Sequence, residues 1–401
     1  MKYGFLTTLI PPKMDQEVRR RSKYNMQDAA NALQWNLFEG FQENLEEDVR
    51  LFNVLPVGSF PQYYSKPFIN ASTFDTKYNQ GNRNIGFCNV KLLRKYHQAS
   101  RVYRELKKWC DEDGEKTLFV YTASAPFMKA VSRVKRCCDK LKVCVIIADL
   151  PDMSDLSSNK SLLKKLFEKK MAVSAYSSIG CVAAFVLLTK HMATYLKTDK
   201  PWLVMEGIAG KVAPCEHIAT DKKIILYTGT LHSRFGVRTL VDAFMQITGE
   251  EYRLVLCGVG DSEQYIRVCA EKDDRIVFKG QVAREEALQL QQQATVLVNP
   301  RQNNEEFTKY SFPSKTLEYL ASGVPVVAYK LDGIPDEYDD YLNYVEDNSA
   351  ESLAAKLVDV CNLDKEAHKA MGKRGAEFVL QNKNARVQTR RILEFIGKEV
   401  E

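Results

Sequence analysis

Short apolar runs alternate with amphipathic segments along the first half of the chain. The runs are rich in Val, Ile, Leu and Phe, which predicts strands buried on both faces. They lie at 2–10, 49–57, 117–121, 142–150 and 183–189. Helical periodicity is found between them, near 27–45, 91–110, 126–138, 160–170 and 190–196. Such alternation indicates a parallel sheet covered on both faces by helices.

The second half repeats this pattern after a join near 201–210. Predicted strands lie at 223–228, 252–258, 275–280, 296–300 and 324–329, and predicted helices at 238–247, 263–271, 285–293 and in a helical tail from 373 onward. Because 401 residues exceed what one core usually supports, we predict two domains. The expected architecture is α/β, with doubly wound Rossmann-like domains at 1–205 and 206–380 facing a central cleft. A C-terminal helix over 381–401 is expected to pack back on the first domain.

Composition is that of an ordinary globular protein, with 45% hydrophobic and 27% charged residues. Ten cysteines are scattered without C-x-x-C spacing and no signal peptide is evident, which favours reduced thiols in a cytoplasm. The uncharged segment 171–189 approaches the roughly 20 residues of a membrane-spanning helix. Its serines and Gly180 instead favour a buried turn followed by a core strand.

Charge is divided unevenly along the chain. Residues 1–200 hold 32 Lys and Arg against 20 Asp and Glu, whereas the remainder has a net charge of −6. The basic half indicates either a solvated lysine-rich surface or an affinity for an anionic membrane surface or phosphorylated lipid. Nucleic acid is less favoured, because the basic residues are not interleaved with a recognition motif.

A short helix predicted between 311 and 323 carries the most informative chemistry. Lys315 and Glu318 are three residues apart and share one helical face, and Arg301 precedes them in a polar loop. A helix N-terminus with added cations suits a phosphate, and a carboxylate can accept hydrogen bonds from the hydroxyls of a ribose. The alternative is a solvated helix with an ordinary i,i+3 ion pair.

Other candidate residues also follow predicted strands. Gly229–Gly236 lies between a strand and a helix, as does the weaker G-x-G signal that ends at Gly260. Asp149 follows a core strand of the first half. Ligands of open α/β sheets bind beyond the carboxyl ends of strands, so these positions are candidate sites. Five His residues form no metal-ligand pattern with Cys or carboxylates, which predicts no metal site.

Four successive segments resemble glycosyltransferase family 4, the group 1 glycosyltransferases. They read TGTLHSRFG, CGVGDSE, SFPSKTLEYLASGVPVV and LDGIPDEY. The resemblance implies the GT-B fold and a retaining transfer that uses a nucleotide-diphosphate-sugar as co-substrate, without a cofactor or bound metal. The resemblance implies donor binding by Gly229, Gly236 and Glu318. Together with the local chemistry of the two loops, it makes the full set of candidate donor-binding residues Gly229, Thr230, Gly236, Gly260, Arg301, Lys315, Thr316 and Glu318.

The chain departs from the family pattern at specific positions. Glu318 matches the second glutamate of the family's E-x7-E motif, but Tyr310 stands in place of the first. Thr230 and Phe235 occupy the positions of the family's two loop cations. We therefore expect Arg301 and Lys315 to supply the missing charges at the diphosphate.

Two carboxylates are the candidate catalytic residues. Glu306 is expected to reach the donor sugar from a longer loop, with a flexible acidic loop as the alternative. Asp149 is expected to position the acceptor hydroxyl.

The resemblance implies a glycosyltransferase acting on a saccharide or lipid-linked acceptor in cell-surface polysaccharide or glycolipid assembly. With the basic first half, it suggests a cytoplasmic enzyme with peripheral contact to an anionic inner membrane face and no nucleic-acid partner. Two alternatives stay open. One is a nucleotide-sugar epimerase of the same fold, and the other is a non-catalytic nucleotide-sugar-binding protein.

Overall fold

The computed structural model describes residues 1–24, 26–150, 180–210 and 221–399 and divides the chain into two compact units. Unit 1 contains Met1–Ile208 and the segment from Ala385 onward, and unit 2 contains Ala209–Asn384. The predicted boundaries were 205 and 380. The helix predicted near 160–170 lies outside the described residues, as does the 171–179 part of the long uncharged segment.

Unit 1 is built on a mostly parallel sheet. Its strands are Lys2–Thr7 (β1), Val49–Asn53 (β2), Phe68–Ile69 (β3), Ser72–Phe74 (β4), Asn82–Asn84 (β5), Phe87–Cys88 (β6), Lys116–Tyr121 (β7), Leu141–Ile147 (β8), Ala184–Leu187 (β9) and Trp202–Val204 (β10). Its helices are Pro12–Arg21 (α1), Asp28–Asn44 (α2), Arg94–Cys110 (α3), Ala125–Lys135 (α4), Lys190–Leu196 (α5) and the C-terminal Ala385–Glu399 (α12). The strand order is β10-β9-β8-β7-β1-β2-β5-β4, in which only the β4–β5 pair is antiparallel, and β3 pairs separately with β6.

Unit 2 has a parallel sheet throughout. Its strands are Lys223–Thr228 (β11), Tyr252–Cys257 (β12), Ile276–Gly280 (β13), Val296–Asn299 (β14), Val326–Ala328 (β15) and Asn343–Tyr344 (β16). Its helices are Val237–Phe244 (α6), Glu263–Lys272 (α7), Arg284–Gln293 (α8), Ser314–Ala321 (α9), Ala350–Cys361 (α10) and Lys365–Asn382 (α11). The strand order is β13-β12-β11-β14-β15-β16.

Alternate residues of the unit 2 strands enter two separate cores, one on each face of the sheet. In β11, Ile225 and Tyr227 pack with α6 and α10, whereas Leu226 packs on the opposite face with α9. Because both faces are covered, successive strand residues are apolar, which is why these strands are visible as continuous runs in the sequence. The predicted α/β, doubly wound fold is confirmed.

Several predicted strands of unit 1 are shorter than expected. The run at 2–10 ends its ladder at Thr7, although Leu9 and Ile10 remain buried. The Leu9 N–H donates to the Asn53 side chain at 2.9 Å and the Ile10 N–H to Asn31 at 2.8 Å. These loop residues are therefore buried without a strand partner, and apolarity alone overestimated the strand. The runs at 49–57 and 142–150 likewise end their strands at Asn53 and Ile147.

The C-terminal segment consists of two helices, α11 and α12, with a break at 383–384. Helix α12 packs against α2, and a Cβ added to Gly40 would lie 2.4 Å from the Ala385 carbonyl oxygen. The Asn44 side chain donates to the Arg386 carbonyl oxygen at 2.8 Å. Glycine at position 40 therefore permits the close approach of the two helices.

Candidate active site

The strand order of unit 2 defines where a ligand is expected. Starting from β11, the chain adds β12 and β13 on one side, and it then crosses over to add β14, β15 and β16 on the other. Ligands of such sheets bind beyond the carboxyl ends of the strands where the order reverses, here β11 and β14. The loop that begins at Gly229 follows β11, and the loop with Arg301 follows β14, so both predicted segments lie at this switch point.

The two loops touch through their backbones at Gly236. This residue has a φ of 77°, and a Cβ placed on it would lie 1.8 Å from the Pro300 carbonyl oxygen. A Cβ on Gly260 would lie 2.2 Å from the Leu231 carbonyl oxygen. Both glycines are thus required for loop-to-loop packing, whereas the atom nearest to a Cβ on Gly229 is the Tyr227 hydroxyl oxygen, at 3.1 Å.

Asp261 holds the Gly229–Gly236 loop in place. Its carboxylate accepts hydrogen bonds from the Ser233 N–H at 2.7 Å and the Ser233 hydroxyl at 3.0 Å, and it lies 3.2 Å from His232 Nε2. Burial acts to raise the pKa of Asp261, but the hydrogen bonds from Ser233 and Ser262 and the nearby His232 together lower it. The loop is therefore anchored by an ionised carboxylate before any ligand arrives.

Two arginines from the two loops converge on an aromatic pair. The Arg301 guanidinium lies 4.4 Å from the ring centre of Phe235 and 5.4 Å from that of Phe307. The Arg234 guanidinium lies 4.4 Å from the same Phe307 ring and forms an ion pair with Glu305. Arg234 therefore restores a cation to the loop in which Thr230 and Phe235 stand at the family's cation positions. Arg234 is not among the predicted site residues, although it lies inside the glycine loop.

Arg301 has spare hydrogen-bonding capacity. Among the described residues its only hydrogen bond runs from Nη1 to Ser311 Oγ at 3.3 Å. Protein surrounds the guanidinium on most sides, and this burial lowers the pKa of Arg301 to about 10, with a smaller contribution from Arg234. A pKa near that value keeps the side chain charged at neutral pH, so the switch point holds two positive charges.

Glu318 is a mostly buried carboxylate with three polar partners. One of its oxygens accepts hydrogen bonds from Lys315 Nζ and Gln291 Nε2, each at 2.8 Å, and the other lies 3.2 Å from Arg284 Nη2. Burial acts to raise the pKa of Glu318, but Lys315, Gln291 and Arg284 together lower it. Glu318 is therefore ionised at neutral pH.

A buried network connects Glu318 to the end of β11. Gln291 Nε2 also donates to Thr228 Oγ1 at 2.9 Å, and the Thr228 N–H donates to the Tyr319 hydroxyl at 2.9 Å. The side-chain oxygen of Gln291, Oε1, is buried and has no hydrogen-bond partner among the described residues. Thr228 immediately precedes Gly229, so the network fixes the glycine loop relative to the carboxylate.

The four remaining predicted site residues of the second half differ in their exposure and in their hydrogen-bond partners. Lys315 is bonded to Glu318, the ion pair that we considered as the alternative. Thr316 is fully buried, and its hydroxyl accepts from Asn299 Nδ2 at 3.5 Å. Thr230 is exposed. Glu306 is also exposed, and its carboxylate accepts from the Tyr310 hydroxyl at 3.3 Å.

Helix α9 begins at Ser314, with Pro313 at its N-cap position, and in the described chain no side chain caps it. Gly323 has a φ of 78° just beyond the helix, in agreement with the predicted stop.

Asp149 belongs to unit 1, two residues after the end of β8. Its side chain is exposed, yet the surrounding protein raises the pKa of the carboxyl to about 6, an effect that water partly screens. In the neighbouring strand β7, burial and then Asp149 raise the pKa of Tyr121. The next residue, Thr122, has a φ of 64°, an uncommon conformation for threonine and a frequent one at functional strand ends.

Within the described ranges, no group of three His, Cys, Asp or Glu side chains is arranged to hold a metal ion. The same residues include no helix that is both long and apolar enough to cross a membrane.

Solved structures share this fold over nearly the whole chain. Sucrose-phosphate synthase from Thermosynechococcus elongatus has a TM-score of 0.66 at 15% identity, with 99% of both chains covered. The lipopolysaccharide outer core galactosyltransferase WaaB in its apo form has a TM-score of 0.61 at 13% identity, again over 99% of both chains. HepE of Anabaena in complex with UDP-glucose has a TM-score of 0.59 at 13% identity, over 98% of this chain and 99% of that one. The chain therefore has the GT-B fold, as the resemblance implied.

Sequence comparisons find more particular similarities over part of the chain. Residues 222–362 match the family model described as "Glycosyl transferases group 1". The putative colanic acid biosynthesis glycosyltransferase WcaL of Salmonella typhimurium is 24% identical over 173 residues, which are 41% of this chain and 43% of that protein. The Escherichia coli protein of the same name is 26% identical over 190 residues, 46% of this chain and 47% of that protein. The chain thus spans a little under half the length of the curated relatives it matches.

Proposed function

We propose that this protein is a retaining glycosyltransferase that moves a sugar from a nucleotide-diphosphate-sugar to a hydroxyl acceptor in cell-surface polysaccharide or glycolipid assembly. The convergence of Arg301, Arg234 and the ionised Glu318 at the switch point of unit 2 carries this proposal. Two cations suit a diphosphate, and a carboxylate suits the two hydroxyls of a ribose. These residues lie within the segment that matches the group 1 family model.

The cations would act mainly on the leaving group. As the bond between the anomeric carbon and the diphosphate breaks, negative charge develops on the diphosphate oxygens. Arg301 is pre-positioned by Phe235 and Phe307 and needs little reorganisation to stabilise that charge. Arg234 adds a second charge if its ion pair with Glu305 yields to the phosphate. Lys315, which we first expected at the diphosphate, instead keeps Glu318 ionised.

The two candidate catalytic carboxylates keep their proposed roles. Glu306 is exposed and available to contact the donor sugar, and Asp149 would position the acceptor hydroxyl from a strand end of unit 1. A raised pKa suits Asp149 to proton exchange with a hydroxyl near neutral pH. We propose no cofactor or resident metal, and EDTA should therefore leave transfer unchanged.

The acceptor is proposed to be a saccharide or a lipid-linked sugar. The solved relative HepE was captured with UDP-glucose, and the WcaL relatives are named for colanic acid biosynthesis. The excess of basic residues in 1–200 favours an anionic or membrane-associated acceptor over nucleic acid. The nine described cysteines are all free, which supports a cytoplasmic setting. The proposed contact with the inner membrane face rests on the basic excess alone.

Thermal shift with a panel of nucleoside diphosphates and their sugars tests the donor site. Ligand at about 100 times its Kd should raise Tm by roughly 5–10 °C. Arg301→Ala and Glu318→Gln should each reduce affinity about tenfold or more, the loss of roughly 1.4 kcal/mol or more from one charge-assisted contact. Arg267→Ala is the matched control, because Arg267 lies 4.7 Å from the Phe278 ring in the same unit but away from the switch point.

Turnover separates the proposal from its two alternatives. Transfer of labelled sugar to an acceptor pool supports it, and NMR of the product anomer tests retention. An epimerised nucleotide-sugar formed without acceptor would favour an epimerase, and donor binding without any product would favour a binding protein. If no nucleotide in the panel shifts Tm, the donor site is refuted.

A further inference from the structure

Unit 1 exposes a compact group of large apolar side chains. Leu92 is 83% exposed, Tyr96 70%, Phe68 61% and Leu93 58%, the four highest values for large hydrophobic residues in the described chain. Leu92, Leu93 and Tyr96 lie at the start of α3. Phe68 lines the same cavity as His97, whose backbone N–H bonds to the Leu93 carbonyl oxygen at 2.9 Å. Single exposed apolar residues are ordinary, but a cluster marks an interaction site.

The helix that this group begins and its neighbour carry strong positive charge. The segments 91–110 and 125–136, which contain α3 and α4, hold eleven Lys and Arg against the single Glu105. The two helices pack side by side. They hold most of the positive excess of the first 200 residues, so the charge is not a diffuse solvated surface.

The apolar and basic groups form one surface. Lys129 of α4 places its Nζ 5.2 Å from the ring centre of Tyr96, and Lys91 and Lys95 flank the two leucines in sequence. All three lysines are exposed, and none forms an ion pair with any described residue. We name the surface formed by Leu92, Leu93, Tyr96 and the three lysines the α3–α4 face.

We propose that the α3–α4 face docks on an anionic lipid bilayer. Leucines and an aromatic ring beside lysines that pair with no described residue match an interface in which apolar groups enter the acyl boundary and cations meet lipid phosphates. A nucleic acid would engage the cations but offers no apolar phase for Leu92 and Leu93. This inference identifies which surface makes the membrane contact in the proposed function. It rests on that membrane contact alone and does not depend on glycosyl transfer.

Co-sedimentation of the full chain with vesicles tests the proposal. One set of vesicles is phosphatidylcholine alone. The other contains about 30% phosphatidylglycerol, chosen to approximate an anionic leaflet. Each set is measured across a salt series. One variant is Leu92→Ser/Leu93→Ser, and a second is Lys95→Glu/Lys129→Glu. The matched charge control is Lys365→Glu/Lys369→Glu on exposed positions of α11.

The wild-type protein should bind anionic vesicles, release them as salt rises and ignore neutral vesicles. Each cation near an anionic surface contributes about a fivefold factor in partitioning, so the Lys95/Lys129 variant should lose binding by about 25-fold or more. The leucine variant should lose about tenfold or more, and the α11 control should bind like wild type. All variants change exposed residues, and their melting curves should match wild type.

Three results would overturn the proposal: binding to neutral vesicles as tight as to anionic ones, variants that bind like wild type, or an α11 control that loses as much as the face variants. Tight binding to duplex DNA that the leucine variant retains, without vesicle binding, would assign the face to nucleic acid. Nucleotide-induced Tm shifts are measured on the same variants without vesicles. Failure of the membrane contact is thereby distinguished from failure of the donor site.

Discussion

Replacing Gly236 by alanine tests the close contact that joins the two loops of the candidate site. The substitution has two costs. The φ of 77° is strained for any residue with a Cβ, and the new Cβ would lie 1.8 Å from the Pro300 carbonyl oxygen. Backbone atoms cannot rotate away as a side-chain tip can, so the loop after β11, the loop after β14, or both, must move.

Gly280→Ala separates the two costs. Gly280 has a φ of 67°, but no atom lies within 4 Å of a Cβ built there. Left-handed strain should cost either variant about 1–2 kcal/mol. Overpacking should add about 1–3 kcal/mol to Gly236→Ala only, for a total of about 2–5 kcal/mol. The difference between the variants therefore measures the contact with Pro300.

Chemical denaturation can follow the units separately. All three tryptophans, Trp35, Trp109 and Trp202, lie in unit 1, whereas far-ultraviolet circular dichroism reports on both units. A chain of two units need not unfold in one step. An unfolding transition that is seen by circular dichroism but not by tryptophan fluorescence is then assigned to unit 2. That transition should move further for Gly236→Ala than for Gly280→Ala.

Nucleotide affinity gives a second measurement of the same contact. A displaced Pro300 backbone would move Arg301 out of its position between Phe235 and Phe307, so Gly236→Ala should weaken binding about tenfold or more. Gly280→Ala should bind like wild type. If the two variants are equally stable and bind equally well, the loops do not touch in the folded protein and the described site is wrong.

Three further predictions concern charge and packing. Because the pKa of Glu318 is lowered in the folded state, its carboxylate stabilises the fold at pH values above the ordinary pKa of 4.5, and this stabilisation is lost as pH falls through the folded pKa. Glu318→Gln should therefore lower Tm by a few degrees at pH 7 and progressively less below about pH 4.5. The pKa of Asp149 is raised to about 6, which destabilises the folded state at higher pH. Asp149→Asn should therefore raise Tm by roughly 1–2 °C at pH 7.5 and leave it unchanged below about pH 4. Gly40→Val would force a side chain against the Ala385 carbonyl oxygen and should speed proteolysis after α11, whereas Gly397→Ala, with open space around it, should not.

The strands of unit 2 were the most predictable part of the fold. The central strands β14 and β15 are buried on both faces, so their sequences are apolar runs, and β11 matches its predicted bounds of 223–228. The two-residue edge strand β16 was not predicted. Elements with little apolar burial were missed. Helix α1 buries only Val18, and β3 to β6 are two or three residues long, so neither carries a readable period.

The two loops after β11 and β14 were predictable from the sequence, but the pairings of their side chains were not. Strand ends and glycines identified both loops, because those signals depend on the local backbone. Side-chain pairings depend on rotamers and on neighbours distant in sequence. The sequence alone does not decide whether Lys315 binds a phosphate or Glu318, or whether Thr316 faces a ligand or Asn299. Arg234 was missed for a related reason, since its position was compared with the family's loop pattern and not with the loop that follows β14.

The strand order explains why a displaced cation can still serve the same ligand. Because β11 and β14 are adjacent and parallel, their carboxyl ends open onto one crevice, and Gly236 brings the two loops into backbone contact there. If one loop lacks a basic residue, a basic residue on the other loop can therefore place its charge at the same position relative to a bound diphosphate. The guanidinium groups of both arginines lie over the Phe307 ring: Arg301 comes from the β14 loop, and Arg234 lies four residues beyond Thr230 on the β11 loop. It follows that removing both arginines should weaken nucleotide binding by much more than removing either one, since each can partly compensate for the other.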